Sequence, residues 1–197
     1  MDTWVLPTLL GLGLAAASGF RAFLPLLMLS AAAHFELFGI DLNESFAWVG
    51  STTALVALGI ATVAELSADL IPFVDNVLSM VGTVTDPIAG VVAAGSVFSS
   101  HDPTTAAIAG IIIGAPTALT FSGAQAGLRA ASTATTAGIA NPIVSIVEDI
   151  VTFFVSLVTL ILPILVPVLL GLLAWVLWRL TRRLRRRQAA RARLASS

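Results

Sequence analysis

Five long apolar runs decide what this chain can fold into: residues 3–19, 46–64, 87–98, 103–121 and 150–178. About 20 apolar residues cross a bilayer as a helix, and a lipid-exposed backbone must satisfy its own hydrogen bonds. The chain is 57% hydrophobic and only 11% charged, against about 25% charged in a soluble domain. The expectation is an all-α, polytopic transmembrane helix bundle with five or six membrane segments. No stretch before residue 179 is long enough for a separate soluble domain. Residues 1–178 therefore read as one membrane domain, and residues 179–197 as a basic tail.

The charge distribution orients the bundle. Eight of the ten arginines fall in residues 179–193, leaving two arginines against eleven acids, a formal −9, in residues 1–178. A basic cluster directly after an apolar segment is the positive-inside signal, so the C-terminus should be cytoplasmic. Such a tail can also grip anionic lipid headgroups. No nucleic-acid partner is expected, because the tail has no aromatic residue and sits where a stop-transfer anchor belongs. No basic residue precedes the first apolar run, so no cleaved signal peptide is expected. Trp4, Trp48, Trp175 and Trp178 fall near the ends of apolar segments, as interfacial anchors do. There is no cysteine, which excludes disulfides and thiolate metal sites.

Several segments should break. Residues 5–33 exceed one simple span and are interrupted at Ser18-Gly19-Phe20-Arg21, predicting a re-entrant hairpin or a helix broken near mid-membrane. A polar loop over 34–45 leads to a helix over 46–71, ending near Pro72. Residues 73–86 read as a connection and Asp86-Pro87 as a helix start, followed by helices over 87–99 and 104–127. The small, polar stretch 128–141 separates the last of these from a helix that Pro142 restarts. Residues 143–178 would be about 54 Å long as one helix, too long for a single straight span, and Pro163 and Pro167 should divide them.

The second half looks like a copy of the first. Gly19-Phe20-Arg21-Ala22 matches Gly127-Leu128-Arg129-Ala130, and Asp69-Leu70-Ile71 matches Asp149-Ile150-Val151. Asp69 to Pro87 and Asp149 to Pro167 both span 18 residues. This predicts an inverted repeat, residues 5–100 against 104–178, with a binding site where the two arginine-bearing breaks meet.

The chemistry sits on charges inside apolar sequence. An ionised group at bilayer depth costs about 2.5–3.5 kcal/mol on insertion scales, so such residues default to site candidates. Thr62, Glu65, Asp69, Pro72 and Asn76 recur at helical spacing on one face. So do Ser145, Glu148, Thr152, Ser156 and Thr159, with Asp149 beside them. Glu65, Asp69, Asn76, Glu148 and Asp149 are the candidate proton- or cation-handling residues. Arg21 and Arg129, each at a predicted break, are candidate receptors for an anionic group, with Ser132 and Thr133 as hydroxyl donors beside Arg129. The alternative is that the charges are internal pairs, each arginine with one acid cluster. Gly110…Gly114 and Gly123…Gly127 are small-xxx-small patterns, read as internal packing before an oligomer seam. His34 and His101 read as interfacial residues. No cofactor motif, nucleophile elbow, P-loop or HExxH sequence is present.

Residues 11–25 (Gly-Leu-Gly-Leu-Ala-Ala-Ala-Ser-Gly-Phe-Arg-Ala-Phe-Leu-Pro), 65–76, 127–136, Asn141-Pro142 and Val147-Glu148-Asp149 resemble a bacterial integral-membrane family known only as a domain of unknown function. The resemblance covers about residues 8–160 and implies the bacterial cytoplasmic membrane but no activity. A fainter analogy joins Glu65/Asp69 and Arg129 with Ser132 and Thr133 to undecaprenyl-pyrophosphate phosphatases and related lipid-carrier transporters. The Pro-Gly-x-Ser-Arg-Ser run of those enzymes is absent. The leading expectation is transport or channel-like permeation of a small or amphiphilic solute, including an anionic one, coupled to protons or a cation. The alternatives are a membrane enzyme acting on a lipid phosphate, and a structural or partner-binding membrane protein, homo-oligomers included.

Overall fold

The computed structural model describes residues 4–68, 72–136 and 141–195, and among these every regular element is helical. Helix α1 (Val5–Ser18) is followed by α2 (Phe23–His34). A loop with two short 3₁₀ turns leads to α3 (Thr52–Ala68), and α4 is Pro72–Ser96. A rod comprising α5 (Pro103–Ala109), a π-turn (Gly110–Gly114) and α6 (Ala115–Thr136) comes next. The last two helices are α7 (Asn141–Ile161) and α8 (Val166–Ala195), parted by a 3₁₀ turn at Pro163–Leu165.

The bundle has two ends. At one, the loop end, Trp4 packs edge-on against His101 and Phe98, with ring centroids 4.2 and 5.8 Å away. Buried Asn43 donates from Nδ2 to the carbonyls of the same two residues at 2.8 and 2.9 Å, and its N–H donates to the Ser96 carbonyl. The outer end of α2 is tied to this loop, Ser30 Oγ donating to the Val49 carbonyl and His34 Nδ1 to that of Gly50. The chain thus enters α1 and leaves α2 at the same end. At about 21 and 18 Å, neither helix reaches across a hydrocarbon core of about 30 Å. They form a re-entrant hairpin, the first of the two outcomes expected for the Ser18–Arg21 interruption.

The other helices cross in alternating directions around it. Just before α3, Gly50 lies by Ala33 of α2; along α3, Gly59 lies by Leu27 and Glu65 at the hairpin tip. Returning to the loop end, α4 presses Gly90 against Gly114 and Ala118 of the α5–α6 rod. The rod descends past the hairpin, Ala118 meeting Gly19 and Gln125 meeting Phe20. Then α7 rises until Thr159 meets Gly13 of α1. Finally α8 descends, its Leu177 packing with Ala16, Phe20 and Phe121.

The chain is inside-out relative to a soluble protein. On α7, Ser145, Glu148, Thr152, Ser156 and Thr159 are buried, while Ile143, Ile146, Val147, Ile150 and Phe154 are exposed. Among the described residues, three helices are long and apolar enough to cross a membrane. Glu44–Gly50 and Thr52–Ala68, bent by 63° at their break, are apolar and long enough only when taken together. Such apolar outer faces belong in a bilayer.

Three expectations change. Asp86-Pro87 does not start a helix: α4 begins at Pro72 and carries Pro87 inside it. Residues 128–136 are not a loop: α6 runs unbroken through Arg129 to Thr136, because alanine and threonine continue a helix once its neighbours support it. The sequence matches also fall on unlike elements, Pro87 within α4 and Pro167 at the start of α8, so the repeat gains no support. The division at Pro163 and Pro167 is as expected, with helix lost at Leu162. Of the two glycine patterns, Gly110 and Gly114 press on Val91, Gly95 and Gly90 of α4, whereas Gly123 and Gly127 face open space.

Candidate functional site

The site is built around the hairpin tip. α1 closes with Gly19 N–H on the carbonyls of Ala15 and Ala16, and Arg21 N–H on that of Ala17. Position 19 requires glycine, since a Cβ there would overlap the Ala118 carbonyl and Phe121. The next amides, Ala22 and Phe23, begin α2 and have no carbonyl one turn back. Glu65 supplies the acceptors from α3: Oε1 takes Ala22 N–H at 3.1 Å and Oε2 takes Phe23 N–H at 3.3 Å. A carboxylate on a helix N-terminus satisfies orphan donors and meets the positive end of the helix dipole. The anion receptor expected beside Arg21 is thus filled by the protein's own glutamate, itself 8% exposed.

Arg21, 4% exposed, reaches α7. Its Nε lies 2.6 Å from Asp149 Oδ1, a close ion pair outside hydrogen-bond alignment. Its Nη2 donates to the Ser145 carbonyl at 3.4 Å. Arg129 reaches the same helix from α6, donating from Nε and Nη2 to Glu148 Oε2 at 3.1 and 2.7 Å, and from Nη2 to Ser145 Oγ at 2.9 Å. Gln125, one turn earlier on α6, donates from Nε2 to Glu148 Oε2 at 2.8 Å and to the Phe20 carbonyl at 3.1 Å. Among the described residues, Arg21 pairs with Asp149 and Arg129 with Glu148, so both arginines reach α7.

A cavity of about 90 Å³ opens beside the tip, with Arg21, Glu65, Asp86, Ser122, Gln125 and Arg129 in its wall. That volume holds several waters. Asp86 projects from α4 over Gly82 and is 7% exposed, with the Ser122 hydroxyl of α6 beside it and Glu65, Arg21 and Arg129 within electrostatic reach. It makes no ion pair among the described residues. Asp86, Ser122 and Gln125 were missing from the sequence-derived set. Asp86 was masked by the helix-start reading of the following proline, although an acid inside an apolar segment was a usable signal.

Ser132 and Thr133 lie farther along α6 and do not line the cavity. Asp69 is outside the described residues, as is the side chain of Asn76. No group of three or more His, Cys, Asp or Glu poised for a metal occurs among the described residues.

A family model described as a domain of unknown function, DUF4126, matches residues 8–183. The chain belongs to that family. No curated protein and no solved structure is similar enough to match it, and the analogies to undecaprenyl-pyrophosphate phosphatases and lipid-carrier transporters gain no support. The family carries no assigned activity, so function has to be argued from the site.

Proposed function

We propose that the chain is a membrane transporter or channel-like protein that passes a small solute through the cavity at the hairpin tip, with protons or a cation handled at Asp86 and Glu65. The observation that carries this reading is Asp86: a buried carboxylate on a wet cavity, outside the arginine pairs, facing a second carboxylate. With Glu148 and Asp149 set against Arg129 and Arg21, Asp86 adds negative charge to the cavity wall. That favours a proton or cation over an anionic solute. A volume of about 90 Å³ is well below the roughly 300–1,000 Å³ of drug-sized sites, which argues against a lipid-phosphate substrate held here. The hairpin tip forms one wall of the site, held by Glu65, Gln125 and Asp149 from three different helices.

The orientation follows the positive-inside rule. The loop end carries Glu36, Asp41, Glu44 and Asp102 without a basic residue, and the arginine-rich end of α8 lies opposite. This asymmetry supports a reading with the C-terminus on the cytoplasmic side of a bacterial inner membrane, residues 1–178 as the membrane domain and 179–197 as its basic extension.

The test is proton and monovalent-cation flux in proteoliposomes. A trapped pH dye reports protons under a potassium–valinomycin diffusion potential, and an ion-sensitive dye reports sodium. Wild-type vesicles should exceed protein-free vesicles, and Asp86→Asn should return flux to that background while the protein elutes and melts as before. Wild-type rates equal to background for every cation tried, or full flux in Asp86→Asn, would overturn the reading.

A further inference from the structure

We propose that one face of α8 is a binding site for an anionic phospholipid headgroup, built from Trp175, Trp178, Arg179, Arg182 and Arg183. These positions fall on one side of the helix at i, i+3, i+4, i+7 and i+8. The Arg179 guanidinium stands 4.9 Å over the Trp175 ring, and that of Arg182 stands 5.0 Å over the Trp178 ring. Stacking of this kind orients the guanidinium forks while leaving their N–H edges available to an oxyanion. Open space lies between the same five side chains.

The face points away from the protein. Leu170, Leu173 and Leu177, on the opposite side of α8, are the residues packed against Phe20 and Phe121. Only 6% of the Pro163–Leu180 span is buried, against 33% and 39% for the other two spans. Arginines on the outward side of a membrane helix must meet headgroups, because hydrocarbon cannot solvate them. The helix length agrees: 30 residues make about 45 Å, roughly 15 Å more than the hydrocarbon core. The apolar span itself ends at Leu180, so Trp175 and Trp178 lie near its boundary, where indole rings belong.

Charge selects the occupant. Residues 166–195 contain no acid, and the acids of the loop end lie across the bundle. A second copy packed α8 against α8 would bring further arginines, not carboxylates. A phosphodiester supplies the missing negative charge in the geometry that paired guanidinium forks bind.

The experiment titrates the full-length protein in a neutral detergent with phosphatidylglycerol, phosphatidylcholine or inorganic phosphate, counting bound lipid by native mass spectrometry. Wild type should favour phosphatidylglycerol over phosphatidylcholine by about tenfold or more. That is conservative for three arginines, each worth about 1 kcal/mol near an anionic surface, or about fivefold. R179Q/R182Q/R183Q should lower phosphatidylglycerol to the phosphatidylcholine level with the melting temperature unchanged, and millimolar phosphate should not compete. An unchanged lipid preference in the triple variant overturns the site. Full competition by free phosphate makes it a soluble-anion site, and a dimer that the triple variant dissolves makes it a contact between copies. Either outcome also refutes the lipid assignment.

Discussion

The pairing of Arg129 with Glu148 makes a quantitative demand on stability. The two side chains are 11% and 6% exposed, and Glu148 Oε2 accepts from Arg129 Nε, Arg129 Nη2 and Gln125 Nε2 within 3.1 Å. Removing one member of a buried pair costs about 3–5 kcal/mol, much of it the price of leaving the other charge without its counterion. The partial exposure of Arg129 argues for the lower end, about 3 kcal/mol for Glu148→Ala. At about 2–4 °C per kcal/mol for a chain of this size, its midpoint should fall by roughly 6–12 °C. Arg129→Ala should cost a similar amount, because it leaves Glu148 buried with the Gln125 amide. The double variant should then recover about 2 kcal/mol relative to the sum of the singles, the signature of direct coupling. The assay is thermal unfolding of the purified protein in one detergent, followed by the fluorescence of its four tryptophans. Additivity of the two losses within about 0.5 kcal/mol would refute the pairing.

Three further outcomes follow from individual contacts. Gly114→Ala should lower the melting temperature, by overpacking worth about 1–3 kcal/mol against the Gly90 backbone. Gly127→Ala, in open space on a helix, should raise it by about 0.5–1 kcal/mol; equal shifts would contradict the helix contacts. Glu65→Ala should leave the Ala22 and Phe23 amides uncapped and speed hydrogen exchange in a peptide spanning residues 19–26, with Glu65→Gln intermediate. At the loop end, the Thr105 hydroxyl and amide hold the Asp102 carboxyl below its ordinary value of 3.8. A depressed carboxyl stabilises the start of α5 above that ordinary value and loses the effect as pH falls through its folded one. Thr105 amide exchange corrected for intrinsic rate should therefore be flat from pH 7 to 5 and rise only below about pH 4.

What the sequence revealed was local. Apolar runs mark spans because a bilayer demands them, and glycine before Arg21 and proline at 163 and 167 interrupt helices for backbone reasons that need no partner. The polar faces of α3 and α7 followed from helical period alone, and Thr62, Glu65, Ser145 and Glu148 are buried as that period requires. What stayed hidden depends on neighbours. Pro87 looks like a helix start in isolation, yet α4 continues through it between α1 and α6. Arg129 looks like a twin of Arg21, but Gly19 is pressed against Ala118 and Gly127 against nothing, so only the first segment turns. Pairing was least legible: no spacing in the chain says that residues 21 and 129 share one helix, or that Glu65 caps the start of α2.

That unequal sharing separates the charges by helix. On α7, Glu148 and Asp149 balance two arginines and let a polar stripe stay buried, which is a structural task. On α4, Asp86 faces the cavity outside those pairs, so a proton or cation there can change the local charge without breaking the contacts of Glu148 or Asp149. The two groups should part experimentally. Glu148→Ala should move the melting temperature far more than the flux per folded molecule, and Asp86→Asn should do the reverse. Proton flux and unfolding measured on the same reconstituted samples give both readouts. If the two substitutions shift stability and flux in the same proportion, the charges form one undivided network and the separation by helix fails.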